Sequence, residues 1–469
     1  MERKRRMLRR AVGCLLATAL ALALAGQSAV DRDAATVEGR PGAVKLSGYY
    51  DPARGFLEAT ARLRFTGQAA ERPLWLANEL RLKSVSGGAM TQPPFSSESG
   101  VFLVECPAGG ELVLDYGGRL SPGLQALPAE PVGKKGADDC RILSHVMDYY
   151  PHPQGDFMAM DVTIRVPDGW SCLGSGMQRS VVNGSGYDEY SFSHPLCKGM
   201  TLVFGRFRPL GLLAGEIPLR LYGWKGLDLR TYYSEADMAG NAGFYSGRFG
   251  PLPVPELTIL FRRGEGFRGV SYSGLLVLNV DRGRKGIDPF DRETALETSL
   301  LAMVDPATDL LAHEMAHQWW GGVVSWKECG DTWITEGLAT YSSLLYLRQR
   351  SGEKAYQKVC QRLRDGLERY AGMGVPAGGA KLKVLFRDPG VYQALAYVKP
   401  ALMLAELADA RGEDEVCRRL RSVLESRRGR SLSGGEFLDL LAAGDPVMRR
   451  WMDEWIFAKT MPPYPDKKN

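Results

Sequence analysis

The stretch that decides the fold is residues 305–352, which read DPATDLLAHEMAHQWWGGVVSWKECGDTWITEGLATYSSLLYLRQRSG. Asp305-Pro306 is an N-cap followed by proline at the first helical position, and Gly321-Gly322 is typical of a helix end. Asp331 can cap a second helix that runs to Ser351-Gly352. The stretch therefore predicts two helices joined by a turn.

Two of the chain's five histidines, His313 and His317, lie four positions apart on the first of these helices. Residues i and i+4 share one face of an α-helix, so both imidazoles can bind one ion. Zinc accepts such nitrogens and usually takes four ligands. Glu314 is then placed to act as general base toward an attacking water. From this pentapeptide alone, a buried helix with two core histidines remains an alternative.

A third ligand is offered by Glu336, nineteen residues after His317. The second helix can bring this carboxylate back to the two histidines. Two histidines, one glutamate and an open position form the ligand set of a catalytic rather than a structural zinc site. The sequence therefore predicts one zinc ion per chain, bound by His313, His317 and Glu336. Cys329 is an alternative ligand, although its interpretation as an apolar filler is preferred.

These residues resemble the aminopeptidase N and leukotriene hydrolase family of gluzincins. The resemblance rests on HEMAHQWWG at 313–321 and DTWITEGLATY at 331–341. It extends to 149–169 and to the tail of the catalytic domain at 455–464, and so covers about residues 43–465.

The resemblance implies a saddle-like β domain followed by a thermolysin-like zinc domain, and hence a zinc metallopeptidase with a peptide substrate. It also implies that Tyr397, in the sequence YVKP at 397–400, donates a hydrogen bond to the developing oxyanion. Pro400 stands where the family usually has glycine. From the residues alone, Tyr397 would be interpreted as a core aromatic.

The chain departs from the family at a Gly-x-Met-Glu-Asn motif, whose glutamate binds the free amino group of the substrate. The matching stretch is GVSYSGL at 269–275, with Tyr272 at the glutamate position. A phenol can accept a hydrogen bond from an ammonium group but lacks the charge that pairs with it. Residues from Gly269 to Gly274 would still offer backbone groups to an extended peptide by strand addition. The candidate substitutes for the missing acid are Glu265, Glu293 and Glu297.

An aminopeptidase-like activity is therefore preferred, and two alternatives stay open. One is an endopeptidase, or another peptidase that does not require a free N-terminus. The other is a non-catalytic peptide-binding homologue that kept the fold.

The composition, with 45% apolar and 24% charged residues, excludes disordered and fibrous chains. From about residue 43 to 222, within a predicted domain of residues 43–224, apolar and polar residues largely alternate with period two, as in 58–65 and 160–166. This pattern predicts an antiparallel β-sandwich or saddle domain. An α/β zinc-peptidase domain is predicted over 225–465, with a tail at 466–469. The fold class is thus multidomain α and β.

Within 225–465, the sequence predicts two further strands and three further helices, and it shows no basic and aromatic pattern of a nucleic-acid site. The strands are 257–261 and 275–280, and the helices begin at Lys399-Pro400, at Glu413 (to Arg428) and at Asp445-Pro446 (to about Lys459).

Residues 1–25 have the pattern of a signal peptide: a basic segment, an apolar run from Ala11 to Gly26 and small residues for cleavage. They hold six of the 59 basic and one of the 54 acidic residues, so the rest of the chain carries 53 of each. We therefore expect export, to the periplasm or outside the cell, followed by a linker at 26–42. A retained membrane anchor is the alternative. Export permits disulfides, and Cys172 with Cys197 is the preferred pair.

Overall fold

The computed structural model describes residues 41–457, apart from several gaps. The gaps are 66–67, 93–99, 107–108, 122–139, 154–156, 225–226, 228–233, 264–268, 280–305 and 369–388. The predicted signal peptide, most of the linker, the tail, and the residues Glu265, Glu293 and Glu297 lie outside the described residues. None of the described helices is long and apolar enough to cross a membrane.

The first half of the chain is built from β-strands. The strands described there are β1 (Pro41–Asp51), β2 (Phe56–Phe65), β3 (Ala70–Trp75), β4 (Leu80–Ser86), β5 (Ala89–Gln92), β6 (Val101–Cys106), β7 (Glu111–Arg119), β8 (Cys140–Leu143), β9 (Met158–Pro167), β10 (Ser171–Gly174), β11 (Met177–Asn183), β12 (Tyr187–Cys197) and β13 (Leu202–Gly205). They form a seven-stranded sheet in the order β11-β12-β9-β1-β2-β7-β4 and two three-stranded sheets, β10-β13-β8 and β3-β6-β5.

The alternation in the sequence matches burial along these strands. In β2 and β9, every second side chain is buried and most of those between them are partly or fully exposed. The prediction of a purely antiparallel domain is wrong in one place, because β1 pairs with β9 in parallel. More than a hundred residues separate these two strands, which is ample for the long connection that a parallel pair requires.

The predicted disulfide between Cys172 and Cys197 is also wrong, because both thiols are free. The two cysteines lie on strands of different sheets, and both are buried in the core of the β half. Burial raises the pKa of the Cys197 thiol to about 12. Both side chains therefore pack as small apolar groups.

The second half begins with a five-stranded sheet that carries an edge strand beside the site. Its strands are β14 (Arg208–Leu213), β15 (Leu219–Gly223), β16 (Leu257–Arg262), β17 (Gly269–Tyr272) and β18 (Leu275–Asn279), in the order β14-β15-β16-β18-β17. The strands predicted at 257–261 and 275–280 are confirmed as β16 and β18. Strands β14 and β15, from the range predicted to be the β domain, hydrogen-bond into this sheet.

Both faces of this sheet are covered, which explains why every residue of β16 and β18 is buried and most of them are apolar. Leu275 and Val277 face a cluster with Ile142 of β8 and Val203 of β13. The alternate residue Leu276 faces the helical core. The sheet therefore holds the β half and the helices together through apolar packing.

Helices make up most of the remainder. They are α1 (Glu235–Phe249), α2 (Pro306–Ala316), α3 (Trp333–Ser351), α4 (Glu353–Glu368), α5 (Pro389–Tyr392), a π-helix (Gln393–Val398), α6 (Lys399–Arg411), α7 (Glu413–Ser426), α8 (Gly434–Ala442) and α9 (Pro446–Phe457), and the strands β19 (Val324–Trp326) and β20 (Arg430–Leu432) pair between them. The β-rich first half and mixed second half confirm the predicted fold class.

The predicted helices are present, with two local differences. Helix α2 ends at Ala316 rather than at the glycine pair. Asp331 does not cap α3, because its carboxylate accepts a hydrogen bond of 2.9 Å from Gly434 N–H at the start of α8. Asp445 caps α9 as predicted, since it accepts from the N–H groups of Val447 and Met448.

We expect the contact between the β half and the five-stranded sheet to contribute strongly to stability. Replacing the fully buried Leu260 by alanine should lower the free energy of unfolding by about 2–5 kcal/mol through the cavity that it leaves. The matched control is Leu212→Ala, at a side chain that is 61% exposed, which should change it by less than about 0.5 kcal/mol. Urea denaturation of both variants measures the difference, and equal losses would contradict this account of the interface.

Candidate active site

The two histidines keep helical spacing although the second lies just beyond the helix. Helix α2 ends at Ala316, but the N–H of His317 still donates to the carbonyl of His313 at 3.3 Å. The next N–H groups bond three residues back, so the chain tightens into a turn only after His317. Both imidazoles therefore point to the same side.

Helix α3 brings Glu336 to these imidazoles, and the three side chains form a compact triangle. The two Nε2 atoms lie 3.1 Å apart, and Glu336 Oε2 lies 3.4 Å from each of them. A tetrahedral zinc ion with bonds of about 2.0–2.1 Å places its ligand atoms roughly 3.3–3.4 Å apart. The three residues predicted as ligands therefore fit one zinc ion. The side chain of Cys329 lies outside the described residues.

A backbone carbonyl orients one of the ligands. His317 Nδ1 lies 3.0 Å from the carbonyl oxygen of Trp320, which can only accept, so Nδ1 carries the proton. The Nε2 lone pair is then directed at the triangle, in the arrangement that protein metal sites use.

The charges within the triangle favour binding of a cation. Burial by itself would lower the pKa of His317, but the Glu336 carboxylate outweighs burial and raises the pKa to about 9. A metal ion that binds here therefore displaces a proton from Nε2. Burial by itself would raise the pKa of Glu336, but the two imidazoles hold it below the usual range. Glu336 is therefore ionised over the whole physiological range, as a metal ligand must be.

Glu314 lies beside the edge strand β17. Its side chain is buried, and a Cβ added to Gly269 would lie only 2.9 Å from its Oε1 atom. A side chain at this position would force the Glu314 carboxyl group to move. The predicted general base and the predicted peptide-binding strand therefore touch each other.

The structure also brings Tyr397 to the triangle. Its ring stacks on that of His313, with 5.7 Å between the centroids. Burial, and then the nearby charge of Glu336, raise the pKa of its hydroxyl well above the usual value. Tyr397 therefore keeps its proton and can donate a hydrogen bond.

Two local features place Tyr397. It lies in the π-helix Gln393–Val398, a form of helix that is rare and often found at functional sites. Gly337 lets the π-helix and the start of α6 approach α3, because a Cβ there would lie 3.2 Å from the carbonyl oxygen of Ala396 and 2.6 Å from Cβ of Pro400. Pro400, which departs from the family pattern, thus packs directly on the residue after Glu336.

At the glutamate position of the family motif, the structure places an uncharged group. Tyr272 is partly buried at the end of β17, with Ser144 and the ring of His145 nearby. Burial raises the pKa of its hydroxyl, so the side chain is neutral. Within the described part of the chain, the end of β17 therefore offers no carboxylate of its own to a substrate amine.

Gly274, predicted to bind substrate, is placed in the turn after β17. Its N–H donates to Gln318 Oε1 at 2.7 Å, and its carbonyl accepts from Thr258 N–H at 3.0 Å. Its N–H is therefore already used within the protein, and its carbonyl keeps one lone pair. Binding of a peptide by the backbone of Gly274 stays a prediction.

Gln318, the residue after the second histidine, is a further candidate functional residue that no sequence motif indicates. Its side chain is almost fully buried, and its amide group hydrogen-bonds three residues of the β17–β18 hairpin. The sequence gives only one indication of a role for Gln318. It is a polar amide directly beside a predicted metal ligand, at a position that helical spacing would bury.

The chain is similar to known proteins in the part that carries this site. A family model described as Peptidase family M1 domain matches residues 294–455. Tricorn protease-interacting factor F2 of Thermoplasma acidophilum is 27% identical over 243 residues, covering 49% of this chain and 28% of that protein. Alanine/arginine aminopeptidase of Saccharomyces cerevisiae is 22% identical over 235 residues, covering 48% of this chain and 26% of that protein. The chain thus spans less than a third of the length of these curated relatives.

A solved structure is similar over almost the whole chain. It is an M1 zinc metallopeptidase mutant from Deinococcus radiodurans, crystallised with a Tyr-Ser-Ala substrate. Its TM-score is 0.72 at 20% identity, covering 92% of this chain and 96% of that one. This similarity shows a shared fold.

We expect metal binding to depend on the triangle. The His317→Ala and Glu336→Ala variants should each lower bound zinc from about one ion per chain to near zero, because each removes one of the protein ligands. The control Glu368→Ala, at an exposed residue near the end of α4, should keep the full content. Elemental analysis after dialysis measures the difference, and a full zinc content in the His317 variant would contradict the assignment.

Proposed function

Because the chain belongs to the aminopeptidase N-like gluzincins of the M1 peptidase family, we propose that it is a zinc metallopeptidase that hydrolyses peptide bonds, with aminopeptidase-like specificity. The observation that carries the proposal is the triangle of His313, His317 and Glu336, with Glu314 and Tyr397 beside it. The same observation disfavours a non-catalytic homologue, since a chain that only binds peptides would not need a base and an oxyanion donor next to the ligands.

The residues of the chain have separate tasks in this reaction. When bound, zinc supplies a Lewis acid at the scissile carbonyl and makes a nearby water more acidic. Glu314 accepts a proton from the attacking water and later returns it to the nitrogen of the leaving amine. The Tyr397 hydroxyl donates a hydrogen bond to the oxygen of the former carbonyl as negative charge develops there.

The edge strand β17 is where we place the substrate backbone. It is the last strand of its sheet, so among the described residues no strand pairs with its outer side. Strand addition would align an extended peptide along β17. Because Gly269 touches Glu314, such a peptide would pass directly by the general base.

Export is the second part of the proposal. It is supported by the basic and apolar segments within residues 1–25 and by their small-residue cleavage site. We propose a periplasmic or secreted location, with attachment to a membrane only where that segment is retained.

The mechanism predicts that two conservative substitutions keep zinc and lose turnover. Glu314→Gln removes the base and should lower kcat by about 10²–10⁴-fold. Tyr397→Phe removes the oxyanion donor and should lower kcat by about 10²–10³-fold. Steady-state kinetics and zinc analysis measure both variants. The control Tyr187→Phe, on strand β12 of the β half, should leave kcat unchanged. Retained turnover in Glu314→Gln would refute the mechanism.

An uncharged Tyr272 stands where the family has the glutamate that binds the substrate's amino group. The critical test of specificity is therefore whether cleavage requires a free amino group. An aminopeptidase should cleave a free-amine peptide at least about tenfold faster than its N-acetylated form, because acetylation removes the charge that is recognised. The two peptides are compared by kcat/KM at equal zinc content. Equal or faster cleavage of the acetylated peptide would contradict the aminopeptidase proposal. The protein would then be a peptidase that does not need a free N-terminus, which is the specificity that a neutral Tyr272 favours.

A further inference from the structure

The tip of the β17–β18 hairpin is held from two sides. From the metal side, Gln318 Oε1 accepts from Gly274 N–H at 2.7 Å, while its Nε2 donates to Ser271 Oγ at 2.6 Å and to the Tyr272 carbonyl at 3.0 Å. From the β half, His194 Nε2 lies 2.9 Å from Ser273 Oγ. Four consecutive residues, 271–274, thus accept hydrogen bonds from, or donate them to, the side chains of Gln318 and His194. We call this set of hydrogen bonds the grip.

The hydrogen-bond roles in this grip follow from chemistry alone. A backbone N–H can only donate and a carbonyl can only accept, so the amide of Gln318 can adopt only one orientation. Its oxygen and both of its N–H groups are used. His194 Nδ1 accepts from the N–H of Leu196 at 3.1 Å, so Nε2 carries the proton and donates to Ser273. Both side chains are almost fully buried, which makes loss of these bonds costly.

The position of Gln318 links the grip to the chemistry. It follows the ligand His317 directly, and its own N–H belongs to the turn that ends α2. At the other end of β17, Gly269 touches the side chain of Glu314. The edge strand is therefore attached to the metal-binding segment at both of its ends.

We infer that Gln318 is a positioning residue that sets the register of the edge strand, and hence of a peptide added to it, relative to the metal ligands. His194 supports it from the β half through Ser273. This inference rests on the proposed peptidase function and names the residues that align its substrate. A peptide that lies along β17 depends on this alignment, whereas a single aminoacyl reporter, which makes few strand contacts, depends on it much less.

The test is Gln318→Met, which keeps the length and volume of the side chain and removes its three hydrogen bonds. Gln357→Met, at an exposed residue of α4, is the matched control. In Gln318→Met, zinc content should stay near one ion per chain. The kcat for an aminoacyl reporter should change by less than about threefold. The KM of a hexapeptide should rise about tenfold, as expected when one or two backbone hydrogen bonds to the substrate are lost.

Ser271→Ala removes one of the three partners and should give a smaller rise in KM. Because both substitutions break the same contact, adding Ser271→Ala to Gln318→Met should have almost no further effect. Additive effects of the two substitutions would contradict a shared grip.

Hydrogen exchange separates failure of this inference from failure of the proposed function. The Gly274 amide bonds directly to Gln318, so its exchange should accelerate in Gln318→Met and not in Gln357→Met, whether or not any peptide is cleaved. If the wild-type chain holds zinc and cleaves neither substrate, the peptidase proposal fails while exchange still reports the grip. Three outcomes for Gln318→Met would overturn the positioning role. The first is an equal loss of kcat/KM on both substrates, and the second is a loss of zinc. The third is an unchanged KM for the hexapeptide although exchange of the Gly274 amide is faster.

Discussion

The contact among two imidazoles and one carboxylate is the interaction on which the rest of the structure depends. Three polar groups packed within 3.4 Å of one another and largely shielded from water require a backbone that holds them there and a positive charge between them. Two tryptophans after the second histidine hold that backbone. Trp319 Nε1 donates to the Gly250 carbonyl at the end of α1, and Trp320 Nε1 donates to Ser342 on α3. The turn that carries His317 is thus tied to both neighbouring helices.

The five-stranded sheet gives this centre a fixed relation to the β half. Apolar side chains from alternate positions of the same strands enter two cores, one shared with the β half and one with the helices. Such an interface does not slide easily, because close-packed cores have few alternative arrangements. The hairpin tip at 271–274 is therefore a junction of the metal segment, the sheet and the β half.

Sequence reasoning reached much of the fold because its signals were local. Alternation identified β2 and β9, and proline and aspartate marked the start of α2 and α9. Other local signals were present but not used. Helix α4 buries Tyr356, Val359, Cys360, Leu363 and Leu367, which follow helical spacing. Helix α8 begins with a capping box between Ser433 and Glu436.

Elsewhere the local signals were misleading. Asp331 has the type and position of an N-cap, yet its carboxylate bonds to Gly434, about a hundred residues further along the chain. The π-helix around Tyr397 packs closely on Gly337 of α3, a contact that joins segments about sixty residues apart and that no short-range pattern indicates. The pairing of Cys172 with Cys197 rests on the expectation of export, and export does not indicate to which sheet a strand belongs.

The sequence by itself determined which residues can bind the metal, because four-residue spacing on a helix places two imidazoles on one side wherever that helix lies. The fitting distance of Glu336, the contact of Glu314 with Gly269 and the grip of Gln318 on the hairpin were decided only by tertiary structure. The physical reason is the separation of the residues along the sequence. Helical geometry relates residues that are only a few positions apart, whereas these contacts join residues 19 to 47 positions apart. How closely such residues approach depends on how the cores pack.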